Sequence, residues 1–348
     1  MTGLANFAKV KGDTKMKKKG FTLVELLVVI AIIALLMGIL MPALNRVRQI
    51  AYRMICGTHL KGIGGGMVLY ANDNGEAYPI GGLAGSIWST LGRIPTFDAT
   101  TQALAFTAGQ STITSSLFLL VKGYDLAPAL FVCKGDSGTK EFKLSDTPTI
   151  VTDMTSVWDF GSGAGLASPD YPIPGMYNSY AYHDPFKGSA NGTAYPVNVT
   201  SAPGSPVCSD RNPYLDKNAW GTPPATGYLD RRDGAANVKA PFWDTTIGTG
   251  EYKDPDKTGN CAAHQREGQN VLYNDNHVGF EKLPNVGIEN DHIWKHWPSA
   301  TVPTSLIRQI GTNPSSSTYS PAGANGGTDN RPWSEQDAYL VSEKNFTP

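Results

Sequence analysis

Residues 21–44 read FTLVELLVVIAIIALLMGILMPAL, and Glu25 is the only charged side chain among them. At ~1.5 Å per residue the run makes a helix of about 36 Å, enough to cross a bilayer core of about 30 Å. Lys17, Lys18 and Lys19 stand directly before it, and a basic flank of this kind stays on the cytoplasmic side. With Lys9, Lys11, Lys15 and the single acid Asp13, residues 1–20 carry +5, so the overall −1 leaves −6 on residues 21–348. The run disfavours a soluble cytosolic protein. The acidity of the remainder disfavours a nucleic-acid binder that relies on a general basic field, and no nucleic-acid partner is expected.

A secretory signal peptide also joins a basic start to an apolar stretch, but this stretch is longer and no small-x-small cleavage site follows it. A plain single-pass anchor leaves Glu25 unexplained. A carboxylate inside a membrane segment costs about 2.5–3.5 kcal/mol on insertion scales, which marks it as a functional candidate. The order KKKGFTLVELLVVIAIIALL, with a basic leader ending in Gly20, then Phe21, then Glu25 and an unbroken apolar stretch, resembles the prepilin signature of type IV pilins and type II secretion pseudopilins. The likeness covers Lys17 to about Pro42. It implies that a membrane-embedded prepilin peptidase cleaves between Gly20 and Phe21 and N-methylates Phe21. It also implies that the chain joins a filament with copies of itself and other pilins or pseudopilins, built by inner-membrane assembly machinery. Met16 directly precedes the lysines and is an alternative start.

The chemistry of the segment fits that implication. Once helices pack together, the Phe21 amine is a buried positive charge, and Glu25 one turn on can neutralise it in the same or a neighbouring subunit. Pro42 lacks an N–H and frees the carbonyl of Gly38, a pair that can kink or locally unwind a helix. In the resembled class this region lets the helix stretch in the filament.

Beyond residue 44, Val47, Ile50, Met54 and Ile55, then Ile63, Met67 and Tyr70, continue at helical spacing. Gly62, Gly64, Gly65 and Gly66 interrupt them at about 1 kcal/mol each relative to Ala, so the helix either bends there or is held by tertiary packing. GIGGGM lacks the setting and the lysine of a phosphate loop. Asn72-Asp73-Asn74-Gly75 is a strong stop. Ser115–Lys122 predicts a short helix. Leu130–Cys133, Ser179–Tyr182, Pro206–Cys208 and Asp337–Val341 predict short strands. Gln269–Asn274 and His277–Leu283 predict a hairpin around a two-residue Asp275-Asn276 turn. The expected fold class is α+β: a long N-terminal helix, half transmembrane and half outside the membrane, on a small antiparallel sheet with long loops. The expected division is a leader over 1–20, a membrane and assembly helix over 21–44, its extracytoplasmic continuation over 45–74 and a β-rich globular domain over 75–348.

RMICGTHLKGIGGGMVLYANDNGEAYP, ALFVCKGD, NSYAYH, CSDRNPY and HQREGQNVLYNDNHVGFEKLP resemble segments of large pilin-like proteins that carry a histidine followed by an Asp-Gly turn near the C-terminus. This chain departs in having Asn276 where that class has the turn glycine, with ten residues between His264 and Asp275. Four cysteines, Cys56, Cys133, Cys208 and Cys261, allow three connectivities in an oxidising compartment, with buried free thiols as the alternative. The resemblance implies Cys56 with Cys133, both in segments that carry it, which leaves Cys208 with Cys261.

The candidate ligands favour structural readings. His264, Asp275 and His277 could meet at a metal, but such residues more often fix a turn. His292 and His296 lie four apart, a spacing that places both on one helical face, yet Trp294 and Trp297 interleave with them and packing is the expected role. Asp254, Asp256 and Asn260 could bind Ca²⁺, as the likeness to secretion pseudopilins suggests. Their spacing does not fit an EF-hand, and an exposed acidic loop is the expected reading. Trp158, Trp220, Trp243 and Trp333 could form a glycan surface, with packing as the default. No nucleophile elbow or paired carboxylates stand out, so no catalysis and no cofactor are expected. The sequence therefore points to a structural filament subunit in the inner membrane, its N-terminus cytoplasmic and its ectodomain periplasmic or at the cell surface. The alternative is a membrane-anchored binding or catalytic ectodomain using the same export route.

Overall fold

The computed structural model describes residues 22–83, 86–88, 98–106, 110–136, 138–146, 151, 153–161, 174–186, 194–213, 260–294, 296–297, 332 and 334–342. Contacts divide the chain into two compact units, Met1–Arg48 and Gln49–Pro348. The first described element, α1, is a single helix over Leu23–Asp73, unbroken by Pro42 or by the glycines. It stops at the polar cluster read from the sequence, where Gly75 and Glu76 take the left-handed conformation.

Within the second unit α1 is covered on one stripe. Cys56, Leu60, Ile63, Met67 and Ala71 are buried at near-helical spacing and join the main apolar core. Gly64 and Gly66 sit in this covered stretch, and Gly64 shows why. A Cβ there would press onto Asn276 Oδ1 and stand 2.9 and 3.0 Å from the Leu272 methyls. The helix lies so close to the sheet at this point that no side chain fits, and packing offsets the helical cost of glycine.

The sheet has five strands in the order β6-β5-β4-β3-β7 and is antiparallel throughout. They are β3 (Tyr180–His183), β4 (Pro206–Asp210), β5 (Gln269–Tyr273), β6 (Val278–Glu281) and β7 (Leu340–Val341). A separate two-stranded parallel ribbon joins β1 (Ile87–Trp88) to β2 (Gln110–Ser111). Alternation divides the large sheet between two cores. Tyr180, Tyr182, Cys208, Leu272 and Val341 belong to the core that includes α1. Ala181, Val271, Tyr273 and Leu340 join Ile293 and Trp294 in a second core. Both faces are therefore covered, and β3, β4 and β5 are buried along their whole length.

The predicted short helix is α3, Ile113–Tyr124, which starts two residues earlier because Thr112 and Ser115 form a capping box. A four-residue helix, α2 (Gln102–Ala105), precedes it. Phe118 and Phe131 lie 5.0 and 4.9 Å from the Phe160 ring, so α3 is anchored through aromatic contacts. Leu130–Cys133 is not a strand. Pro128–Phe131 forms a 3-10 turn that proline opens with its fixed φ, and only Val132 beyond it is extended.

The hairpin is present with a different turn. Tyr273 donates its N–H to the His277 carbonyl and accepts from Asn276, which closes a three-residue Asn274-Asp275-Asn276 loop. Asn276 takes φ of 64°, the left-handed position that ends such a loop. Strand twist favours this arrangement because a type I turn needs one left-handed residue after it, and asparagine tolerates that conformation.

Candidate functional site

Two regions carry chemistry, and each is described within its own unit. The first is the start of α1. Every large apolar side chain from Leu23 to Leu44 is exposed, between 47% and 78%. Burying one such side chain is worth about 1.5–3 kcal/mol, so the run, which has no cover among the described residues of its unit, is unsuited to water. By length and composition the helix can cross a membrane.

At its tip the Thr22 N–H and hydroxyl both donate to Glu25 Oε2 at 2.8 Å, while the Glu25 N–H donates to Thr22 Oγ1 at 3.3 Å. This is a capping box, with threonine as N-cap and glutamate three residues on. Glu25 therefore has a local role besides any pairing with the Phe21 amine, and the T-x-x-E spacing that announces it is visible in the sequence. Gly20 and Phe21 lie outside the described residues.

The second region is buried where α1 meets the sheet. Cys56 on α1 and Cys133, in the turn after Phe131, form a disulfide that closes a separation of 77 residues, with Cα atoms 5.4 Å apart. In the chain-entropy account a loop of that size is worth about 4–5 kcal/mol. Beside it, His264 from the 3-10 turn Ala262–His264 places Nε2 at 3.8 Å from Cys133 Sγ and 3.0 Å from Asp210 Oδ2 at the end of β4. Asn270 on β5 fixes that carboxylate, donating from its N–H at 2.6 Å and its amide at 3.0 Å. Buried Arg211 braces the Cys133 turn: its Nε lies 3.6 Å from Asp136 Oδ2, and its Nη2 donates to the Gly175 carbonyl at 2.8 Å.

The structure separates residues that the sequence offers as a converging set. His264 is buried near the base of the hairpin with Asn270 and Phe280. Asp275 and His277 pair with one another at its exposed tip, where His277 stacks on Tyr273 at 4.4 Å. Four residues of strand and turn lie between Asn270 and Asp275, so the two are five steps apart, about 16 Å if extended. Hydrogen bonding to His277 holds the Asp275 carboxyl below the usual range, as expected of a turn-forming pair.

Cys208 and Cys261 are not joined in a disulfide, although both are buried. Cys208 faces the α1 core from the middle of β4, and burial pushes its thiol up. Cys261 opens the 3-10 turn ahead of His264. The pairing left by the first bridge is therefore absent. His292 and His296 do not share a helical face either: His292 bridges Asn285 in extended geometry. The neighbouring Trp297 donates its ring N–H to Asp291 at 2.9 Å, which makes this a packed polar core. Trp158 donates to the Ala99 carbonyl at 2.9 Å and packs on Phe106. Asp254, Asp256, Trp220, Trp243 and Trp333 lie outside the described residues. Asp210 and Asn270 went unrecognised in the sequence because no spacing links them to His264; β4–β5 pairing brings them together.

Residues 15–41 match the family model described as the prokaryotic N-terminal methylation motif. Searches of curated proteins and of solved structures give no match. With that motif, the apolar helix and the antiparallel sheet, the chain has a pilin-like α+β architecture. The motif is that of type IV pilin- and pseudopilin-like precursors processed by prepilin peptidase, and the helix that follows it is long and apolar enough to cross a membrane.

Proposed function

We propose that the chain is a structural subunit, a pilin or pseudopilin, of a type IV pilus or type II secretion-like filament. Prepilin peptidase cuts between Gly20 and Phe21 and methylates the new amine. Before assembly the N-terminus faces the cytoplasm and the ectodomain lies outside the inner membrane. Polymerisation then packs the apolar helices together, with the Phe21 amine against Glu25 and with Pro42 as the point of give. Partners are further copies, other pilins or pseudopilins and the inner-membrane assembly machinery; the chain performs no catalysis.

One observation carries the reading. The methylation motif is continuous with a helix whose apolar side chains are exposed on every side over Leu23–Leu44. A helix apolar all round needs an apolar neighbour, and lipid and sister helices supply it in turn. Electron microscopy of shear fractions, with identification of the main band by mass spectrometry, tests it. Filaments whose subunit begins at methyl-Phe21 are expected. A chain found only in membranes with its leader intact is the opposing result.

A further inference from the structure

The Sγ atoms of Cys56 and Cys133, one imidazole nitrogen of His264 and one carboxylate oxygen of Asp210 all lie within 4.8 Å of one another, and all four residues are buried. We propose that, in the reduced chain, these four side chains form a tetrahedral site for a borderline divalent cation of the Zn²⁺ class. The junction of α1 and the sheet then has two alternative ties, one covalent and one metallic.

The donor set is of the right kind. Two thiolates, one imidazole and one carboxylate suit zinc, whose donors at about 2.0–2.3 Å from the ion stand about 3.3–3.8 Å from one another. The 3.8 Å from Cys133 Sγ to His264 Nε2 and the 3.0 Å from His264 Nε2 to Asp210 Oδ2 are already close to those separations.

Three features beyond the ligands support the assignment. The Gly135 N–H donates to Cys133 Sγ at 3.4 Å, a contact that favours sulfur carrying negative charge. Residue 135 must be glycine for the turn to close this tightly, because a Cβ there would strike the Ala263 carbonyl beside His264. Asn270 donates twice to Asp210 Oδ2, while Asp210 Oδ1 is buried without a hydrogen-bond partner. A buried carboxylate oxygen left unpaired is costly, and a cation would satisfy it. Asn270 thus acts as an orienting neighbour of the kind that accompanies metal ligands.

The exchange balances as follows. A phosphine reductant gives two electrons to the disulfide and ends as the phosphine oxide, taking its oxygen from one water whose two protons complete the thiols. The cation then displaces both thiol protons, so each bound ion releases two protons to solvent. A small-molecule disulfide, which takes the two electrons and two protons from solvent to become two thiols, restores the Cys56–Cys133 bond and releases the ion.

The test uses the full chain in detergent, reduced with a water-soluble phosphine without oxygen and titrated with Co²⁺. The expected result is one Co²⁺ per chain, with tetrahedral d–d bands and thiolate-to-cobalt charge transfer, displaced by Zn²⁺. The oxidised chain should give neither signal. His264→Ala and Asp210→Asn should weaken binding on the order of a hundredfold, whereas a Cys208→Ser, Cys261→Ser double variant should leave it unchanged. X-ray absorption of the Zn²⁺ form of the wild-type chain reads the ligands without any variant and should show two sulfur and two nitrogen or oxygen neighbours. The proposal is overturned if the reduced chain takes up no Co²⁺, if the zinc shell is all sulfur or lacks sulfur, or if the double variant abolishes binding.

Discussion

The first and second halves of α1 draw on a similar apolar vocabulary and differ in what surrounds them. From Leu23 to Leu44 the side chains are large, apolar on every side and exposed. From Cys56 to Ala71 the buried positions form one stripe, include Gly64 and Gly66, and are matched by sheet and loop residues of the same unit. The first half keeps its bulk uncovered among the described residues. The second has exchanged bulk for close approach. Hydrophobicity alone therefore does not say what a segment packs against; residue size and angular distribution around the helix do.

The largest expected effect separates the halves completely. Glu25→Leu should insert at least as well as wild type and reduce filament yield in shear fractions to background. Its ectodomain should melt within about 0.5 kcal/mol of wild type. Tryptophan fluorescence makes that second reading specific, because the first tryptophan in the chain is Trp88. Glu25→Gln sharpens the result, since glutamine can keep the capping box while losing the charge. Assembly by the Gln variant would assign Glu25 to the cap alone.

Gly64→Val is the mirror experiment. A branched side chain directed at Leu272 and Asn276 overpacks the junction and should lower ectodomain stability by about 3 kcal/mol. Denaturant melts monitored by tryptophan fluorescence would show it, while cleavage at Gly20–Phe21 should proceed as in wild type. An unchanged midpoint would mean that α1 and the sheet are less closely apposed than Gly64 indicates.

A moderate effect should appear only in the ectodomain. Burial pushes the Asp184 carboxyl up to about 7. The folded chain then holds a proton that the unfolded chain releases near pH 4, so the contribution of this group to stability falls as pH rises from about 4 to about 7. Asp184→Asn cannot ionise, so its melting temperature relative to wild type should climb between about pH 4 and about pH 7 and level off above. His183, pulled down to about 4 by burial, titrates in both chains and cancels in the difference. A difference independent of pH would contradict a buried, protonated Asp184.

The smallest effect concerns the turn that faces α1. Asn276→Gly should change stability by less than about 0.5 kcal/mol, because glycine adopts the same positive φ. Asn276→Val should cost about 1–2 kcal/mol, since the left-handed conformation strains a branched side chain. Equal melts for the two variants would show that φ at this position does not control the hairpin.

The sequence by itself determined what depends on neighbours along the chain. The apolar run, the basic leader and Glu25 define the first half of α1 because membrane crossing is a matter of length and composition. The Asn72–Gly75 stop, the α3 helix and the Asp275–Asn276 region of the hairpin were also legible, since caps and turns act over a few residues. Tertiary structure decided the remainder. Pro128 turned an apparent strand into a 3-10 turn within the core. Strand pairing placed Asp210 and Asn270 beside His264 and left Asp275 and His277 at the far end of the hairpin. Cys208 and Cys261 carry no disulfide between them, whereas Cys56 and Cys133 met across 77 residues. Such contacts follow from which strands pair and which face of α1 is covered, and short-range sequence spacing carries no record of either.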